Sequence, residues 1–201
     1  MGTNETVVYL SHVQLKEHVN VLRPYQAHRT VMRAFGNLQN ERVLFRIEDD
    51  NVIVQSLKMP NWQNASNKLR SSSVTRQRLD FTTGQTLSFK LLANPTVKRG
   101  GKRCGLHTEF EQRAWLERKA NDGGFKILEL NICKIGTITG STKNKHELSL
   151  LAIEFDGLLH VLAPDRLHAC IRNGIGSGKG VGFGLLSVQQ SGATYAPLWI
   201  P

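Results

Sequence analysis

Hydrophobic positions along this chain fall into short alternating runs separated by segments with a helical period, so strands and helices succeed one another from end to end. The first run, Val7-Val8-Tyr9-Leu10-Ser11-His12-Val13, is rich in β-branched and aromatic residues and predicts a strand. Pro24, with its fixed φ and missing donor, marks a helix start; Tyr25, Val31, Met32 and Phe35 then recur at roughly helical spacing until Gly36 ends it. Residues 42–47 and 51–57 predict two strands around the tight turn Glu48-Asp49-Asp50, which makes a hairpin. Residues 61–80 are polar and rich in Ser, Asn and Arg, which predicts an irregular or helical section. Alternation returns from Thr86 to Ala93, and Asn94-Pro95 closes it.

The second half repeats that order. After the basic loop Lys98-Arg99-Gly100-Gly101-Lys102-Arg103, a helix is predicted from Thr108 to Ala120 with Phe110, Ala114 and Leu116 facing inward, ended by Asp122-Gly123-Gly124. Strands are predicted at 125–132 and 147–155, with Gly157 to Leu162 as their hairpin partner. A helix from Pro164-Asp165 to Arg172, a glycine loop and a strand at 184–188 complete the chain's pattern. Two such series predict an α+β protein of two tandem ferredoxin-like (βαββαβ) domains, residues 1–93 and 94–201.

Composition narrows the class. Of 201 residues, 40% are hydrophobic, enough for buried cores and too many for a disordered basic tail. No apolar run reaches the roughly 18 residues of a membrane span, and no basic segment leads into a long apolar stretch at the N-terminus, so an intracellular, cytoplasmic protein without a membrane partner is expected. Cys104, Cys133 and Cys170 are spaced neither as a disulfide framework nor as zinc ligands and read as buried reduced thiols.

Charge changes the picture more. The 26 Lys and Arg exceed the 16 Asp and Glu by ten. Between Ser66 and Arg103 lie nine basic residues against Asp80 alone, so that stretch carries eight of the ten excess charges. Such a surface attracts a polyanion by Coulomb steering and counterion release, and nucleic acid is the commonest candidate.

Two features carry candidate chemistry. Residues 174–184 hold six of the chain's 18 glycines, with Lys179 among them. A nucleotide P-loop would need Gly where Asn173 stands and a hydroxyl where Gly180 stands, and a dinucleotide fingerprint would need a strand before the loop and a helix after it; both are rejected. An RNA-recognition signature would need aromatic residues where Val181 and Leu186 stand, so two stacking rings are missing. What remains is a Lys-bearing loop whose amides suit phosphates. In the first helix, Tyr25 and His28 are three residues apart on one face, and Arg29 and Arg33 follow at four-residue spacing. An imidazole is the side chain best placed to move a proton near neutral pH, and a phenol beside it can orient or relay one.

Four segments in order resemble the CRISPR-associated endoribonuclease family CasE, the crRNA-processing subunit of the type I-E Cascade complex. They are Pro24-Tyr25-Gln26-Ala27-His28-Arg29-Thr30, residues 89–98 (FKLLANPTVK), Ala114-Trp115-Leu116-Glu117-Arg118-Lys119, and residues 174–187 (GIGSGKGVGFGLLS). The resemblance implies an endoribonuclease that cuts the repeat of a CRISPR precursor transcript at the 3′ base of its stem-loop, with no metal or other cofactor. It implies attack by the upstream 2′-hydroxyl, leaving 2′,3′-cyclic phosphate and 5′-hydroxyl ends. The family's catalytic tyrosine and histidine fall on Tyr25 and His28; whether His28 is acid, base or both stays open. RNA binding would draw on Arg29, Arg33, Lys98, Arg99, Lys102, Arg103 and Lys179, and on a hairpin arm over residues 134–146 with Lys143 and Lys145 at its tip. The implied partners are the repeat stem-loop and the other Cascade subunits. The chain departs from some members at Gly36, where they carry a serine, and the tail from Gln189 to Pro201 matches no counterpart. A non-catalytic RNA-binding scaffold of the same fold is the alternative.

Overall fold

The computed structural model describes residues 7–18, 20–22, 24–36, 42–49, 51–141 and 147–190. Strand β1 (Val7–Leu15) leads to helix α1 (Tyr25–Arg33), then to β2 (Val43–Glu48) and β3 (Asn51–Ser56). A 3₁₀ helix (Trp62–Lys68) and β4 (Leu69–Arg78) complete a first antiparallel sheet of order β2-β3-β1-β4. The second unit runs β5 (Thr86–Ala93), a small ribbon of β6 (Thr96–Arg99) and β7 (Lys102–Gly105), α2 (Glu109–Asp122), β8 (Phe125–Ser141), β9 (Glu147–Val161), α3 (Pro164–Asn173) and β10 (Leu186–Gln190). Its sheet has the order β10-β5-β9-β8. Both sheets place their strands in the same 4-1-3-2 sense, so the protein is two ferredoxin-like units in tandem, with the 3₁₀ helix standing where the first unit's second helix belongs. No described helix is long and apolar enough to cross a membrane.

Strands β2 and β3 are buried along nearly their whole length because both of their faces are covered. Phe45, Ile47, Val52 and Val54 point to one face, where Ala27, Val31 and Phe35 of α1 and its C-terminal extension close a core with Trp62. Leu44 and Ile53 point to the other face and pack on Leu185 of the second unit. Two polar side chains on that face bind the units together. Gln55 donates to the Ile171 carbonyl at 2.8 Å, and buried Arg46 donates to the carbonyls of Leu185 at 3.2 Å and Lys90 at 3.3 Å. Arg46 is also paired with Glu48 at 2.7 Å, and Lys90 bridges Glu48 at 3.6 Å and Glu154 at 3.3 Å. Burial pushes the Glu48 carboxyl up, but Arg46 and Lys90 outweigh it and hold Glu48 below the usual carboxylate range.

Several sequence-based expectations change. The section 61–80 is not irregular throughout: Leu69–Arg78 is a full strand paired along β1, and it escapes the alternation rule because, after Leu69, it exposes polar residues on both faces. Thr86–Ala93, expected to close the first unit, pairs with β9 and β10 and is the first strand of the second. The polar strand β4 closes the first unit in its stead. Residues 147–161 form one strand rather than a strand and its hairpin partner. Gly157 is no turn: it faces Leu130 of β8, where a Cβ would collide with the Glu129 carbonyl oxygen, an approach only glycine allows. Helix α2 starts at Thr108 as expected, and the structure adds a capping box of Thr108 and Glu111 there, but Phe110 is 82% exposed. The inward residues are Gln112, Trp115, Leu116 and Ala120, because the helix is rotated to seat Trp115 against Phe155. Of the three thiols, Cys133 is exposed and Cys104 and Cys170 are only partly covered.

One further cluster positions the site. Leu92, Ile138, Ala152 and Phe183 are buried together, with Val21, Leu22, Leu150 and Val181 packed against them. The approach to α1, the base of the β8–β9 arm and the glycine loop thus share one small core.

Candidate functional site

Helix α1 opens on Pro24, which holds the N-cap with φ −76° and ψ −10°. No side chain caps the helix and no acidic residue lies in its first turn, so the positive end of its dipole is left without a counter-charge from its own turn. Tyr25 stands on that turn, 45% exposed. Ala27, Thr30 and Val31 face the core, which leaves His28 at the boundary between core and surface. Its ring lies against Phe45, with centroids 6.1 Å apart and planes inclined at 38°. Nδ1 of His28 is buried without a hydrogen-bond partner among the described residues. Burial pushes the His28 pKa below its ordinary value, so in the free protein the ring is neutral at pH 7. Phe45 is backed in turn by Gly182, whose φ is +90°; a Cβ at that position would lie 3.1 Å from Phe45 Cε2, so backbone and space together reserve it for glycine. The glycine loop, Phe45 and His28 are therefore stacked in series.

A groove of about 800 Å³ opens beside this stack. His28, Arg29, Met32 and Arg33 of α1 form one wall, and Gln63, Asn64, Ser66 and Asn67 of the 3₁₀ helix form the other. Tyr25 is not among its lining residues. The structure thus brings His28, Arg29 and Arg33 together as the helical spacing predicts.

A second groove, of about 790 Å³, lies between the β6–β7 ribbon, the C-terminal ends of α2 and α3, and the glycine loop. The basic loop of the sequence is a true hairpin here, turning at Gly100-Gly101. Its register sets Lys98 opposite Arg103 and Arg99 opposite Lys102. Directly opposed residues share a face, so Lys98 and Arg103 point into the groove and meet Lys179 there, whereas Arg99 and Lys102 take the other face. Arg99 pairs with Glu111 at 3.3 Å. Lys119 and Arg166 add two further cations to the groove, and Asp122 is its one carboxylate, 3.5 Å from Lys119. Burial, and then Arg42 and Lys119 nearby, push the Lys179 pKa down. Burial pushes the Cys170 thiol up to about 11, which leaves it protonated and unreactive at neutral pH.

Lys143 and Lys145 lie outside the described residues, as does the tail beyond Gln190. The arm itself is present as the long pairing of β8 and β9, which runs to Ser141 opposite Glu147. Sequence reasoning missed three contributors. Lys119 and Arg166 are helical basic residues outside the basic stretch of residues 66–103, and only the fold brings them to Lys98. Phe45 reads as an ordinary core aromatic. The polar wall at 63–67 does carry a signal, since Trp62 and Ala65 repeat at three-residue spacing, but two apolar residues stand out weakly in so polar a section.

Comparison with known proteins bears on this arrangement. Residues 8–190 match the model of a family described as CRISPR associated protein. The chain is 33% identical over 192 residues to the CRISPR-associated endoribonuclease Cse3 of Thermus thermophilus, covering 84% of this chain and 91% of that protein. It is 27% identical over 192 residues to the CRISPR system Cascade subunit CasE of Escherichia coli, covering 82% and 90% respectively. Among solved structures, Thermus thermophilus Cse3 bound to an RNA representing a pre-cleavage complex superposes with a TM-score of 0.79 at 32% identity, over 90% of this chain and 98% of that one.

Proposed function

This chain belongs to the CasE family of CRISPR-associated endoribonucleases, and we propose that it cuts the CRISPR repeat at the 3′ base of its stem-loop with Tyr25 and His28 as the reacting pair. It is an endoribonuclease that processes CRISPR RNA, and its partners are the repeat stem-loop and the other Cascade subunits. The observation that carries the site assignment is on α1: an exposed phenol and a boundary imidazole stand one turn apart at an uncapped helix start, with two guanidinium groups beside the imidazole in one groove.

The chemistry follows from those groups. The 2′-hydroxyl oxygen upstream of the cut attacks phosphorus, the bond from phosphorus to the 5′-oxygen breaks, and a 2′,3′-cyclic phosphate and a 5′-hydroxyl result. One proton must leave the 2′-oxygen and one must reach the departing 5′-oxygen, and His28 serves this transfer without a metal. Contact with the phosphate favours the imidazolium, offsetting the burial that depresses the His28 pKa in the free protein. Tyr25 orients the reacting strand by its phenol. Arg29 stabilises the charge that builds on the phosphate, and Arg33 holds the adjacent one.

Lys98, Arg103 and Lys179 hold the RNA backbone in the second groove; Arg99 and Lys102 engage it from the ribbon's other face, and Lys143 and Lys145 do so from the arm. Duplex RNA in the A form shows protein mainly phosphates and 2′-hydroxyls, which is what Lys and Arg recognise. The ribbon supports this role, since its like charges sit directly opposite each other and repel until an anion lies between them. The protein acts in the cytoplasm, where a precursor transcript and the subunits that share it would meet. The test is incubation with a repeat hairpin in EDTA followed by mapping of both product ends. A cyclic phosphate at one position is expected; equal cleavage by His28→Ala would reassign the site and favour a scaffold role for α1.

A further inference from the structure

The groove at His28 has two unlike walls. On α1 it offers Arg29 and Arg33; on the 3₁₀ helix it offers only neutral carboxamides and a hydroxyl. That second wall is rigidly built. A 3₁₀ helix has three residues per turn, so Trp62 and Ala65 share the buried face while Asn64 and Asn67 lie one above the other on an outer face. Trp62 is fixed by its Nε1–H donating to Ser11 Oγ at 3.1 Å and by an edge-on contact with Phe35 at 6.4 Å. The Asn61 side chain caps the helix by accepting from the Gln63 amide at 3.1 Å, and the Asn61 amide donates to the Ala34 carbonyl at 2.8 Å, tying this wall to the end of α1. Gln63, Asn64 and Asn67 are exposed, and their carboxamides take no hydrogen bond from or to another described protein group.

A cationic wall facing a carboxamide wall suits one strand of RNA lying with its backbone toward α1 and its bases toward the 3₁₀ helix. We propose that Asn64 and Asn67, with Gln63 beside them, read the base of the first unpaired nucleotide on the 3′ side of the cut. The reading rests on the cleavage assigned above. The nucleotide upstream of the cut is paired in the stem and its base edge is occupied, whereas the downstream nucleotide is free to splay into a groove. A carboxamide presents one donor and one acceptor, the pattern that matches the N6 and N7 edge of adenine, while a carboxylate accepts from the N4 amine of cytosine. These are specificity residues and take no part in the proton transfer.

The test uses the full chain and four repeat hairpins that differ only in the base after the scissile phosphate, with a fifth that ends at the cut. Single-turnover rates are measured on the cleavable set. Affinities are measured on the same set with a 2′-deoxy nucleotide upstream of the cut, so that base preference is read even where no cleavage occurs. Adenine is expected to be favoured about tenfold over the weakest base, the discrimination typical of one carboxamide contact. The double variant Asn64→Ala/Asn67→Ala is expected to bring the four to within about twofold while binding the fifth hairpin as the natural protein does. Asn67→Asp is expected to move the preference toward cytosine, which a merely structural role would not do. Indifference of the natural protein to this base, or a preference unchanged in both variants, overturns the proposal. Failure to cut any hairpin while the deoxy set still shows the base preference would overturn the cleavage assignment and leave the contact standing.

Discussion

Two grooves of nearly equal volume, about 800 and about 790 Å³, differ in almost every chemical respect. The one at α1 holds a histidine with a lowered pKa, two arginines and a neutral polar wall. The one at the ribbon and glycine loop holds five cations, a single carboxylate and an inert thiol. On the proposed assignment, the reaction is placed in the groove with fewer charges, so charge density and chemistry separate. Proton transfer needs a group that titrates near neutrality in a partly dry setting, whereas holding a polyanion needs permanent charge in contact with salt water.

Each variant below tests that division of labour. The largest effect is expected from His28→Ala, which should slow single-turnover cleavage by about 10² to 10⁴, the usual worth of a positioned acid or base, while hairpin affinity measured by filter binding stays unchanged. A comparable loss of affinity would merge the two grooves into one functional surface. Next, Lys98→Ala/Arg103→Ala should weaken binding and reduce the slope of log affinity against log salt by about two, with the cleavage rate of the bound complex preserved. A third variant addresses what joins the grooves. Arg46→Ala leaves the half-buried Glu48 beside an empty space and removes two bonds between the units, so chemical denaturation should show a loss of about 3 kcal/mol. Because the folded-state pKa of Glu48 is lowered, its contribution is present above the ordinary carboxylate range and is lost as pH falls through the lowered value. Acid unfolding profiles of Glu48→Gln should lack that limb. The smallest effect is a shift in titration: by NMR, His28 should titrate below its ordinary value in the free protein and move upward when an uncleavable hairpin is bound. No movement would mean that the phosphate does not reach the imidazole.

Much of this division is legible in the sequence, though unevenly. α1 is readable because proline, helical spacing and glycine all agree, and the same spacing already sets His28, Arg29 and Arg33 on neighbouring positions. The ribbon cations are readable as charge, but their sorting into two faces depends on a register that a turn of two glycines fixes only once the strands pair. Arg76 and Arg78 belong to the same basic stretch by sequence, yet they stand on β4, an edge strand of the other sheet. β4 itself escapes the pattern because pairing with a central strand, not burial of side chains, makes it a strand. Phe110 misleads for the opposite reason: an aromatic residue suggests the core, but the capping box fixes where α2 starts and Trp115 fixes its rotation.

The bonds from Arg46 and Gln55 between the two units fix a length, in the surveyor's sense. They make the distance between the ribbon groove and the His28 imidazole a fixed length of the protein rather than a property of a linker. A body of fixed span reports position by counting from one end. Lengthening the RNA between the held segment and the cut by one base pair should therefore displace the product terminus by one nucleotide within the stem, and the protein's own geometry would not stretch to follow it.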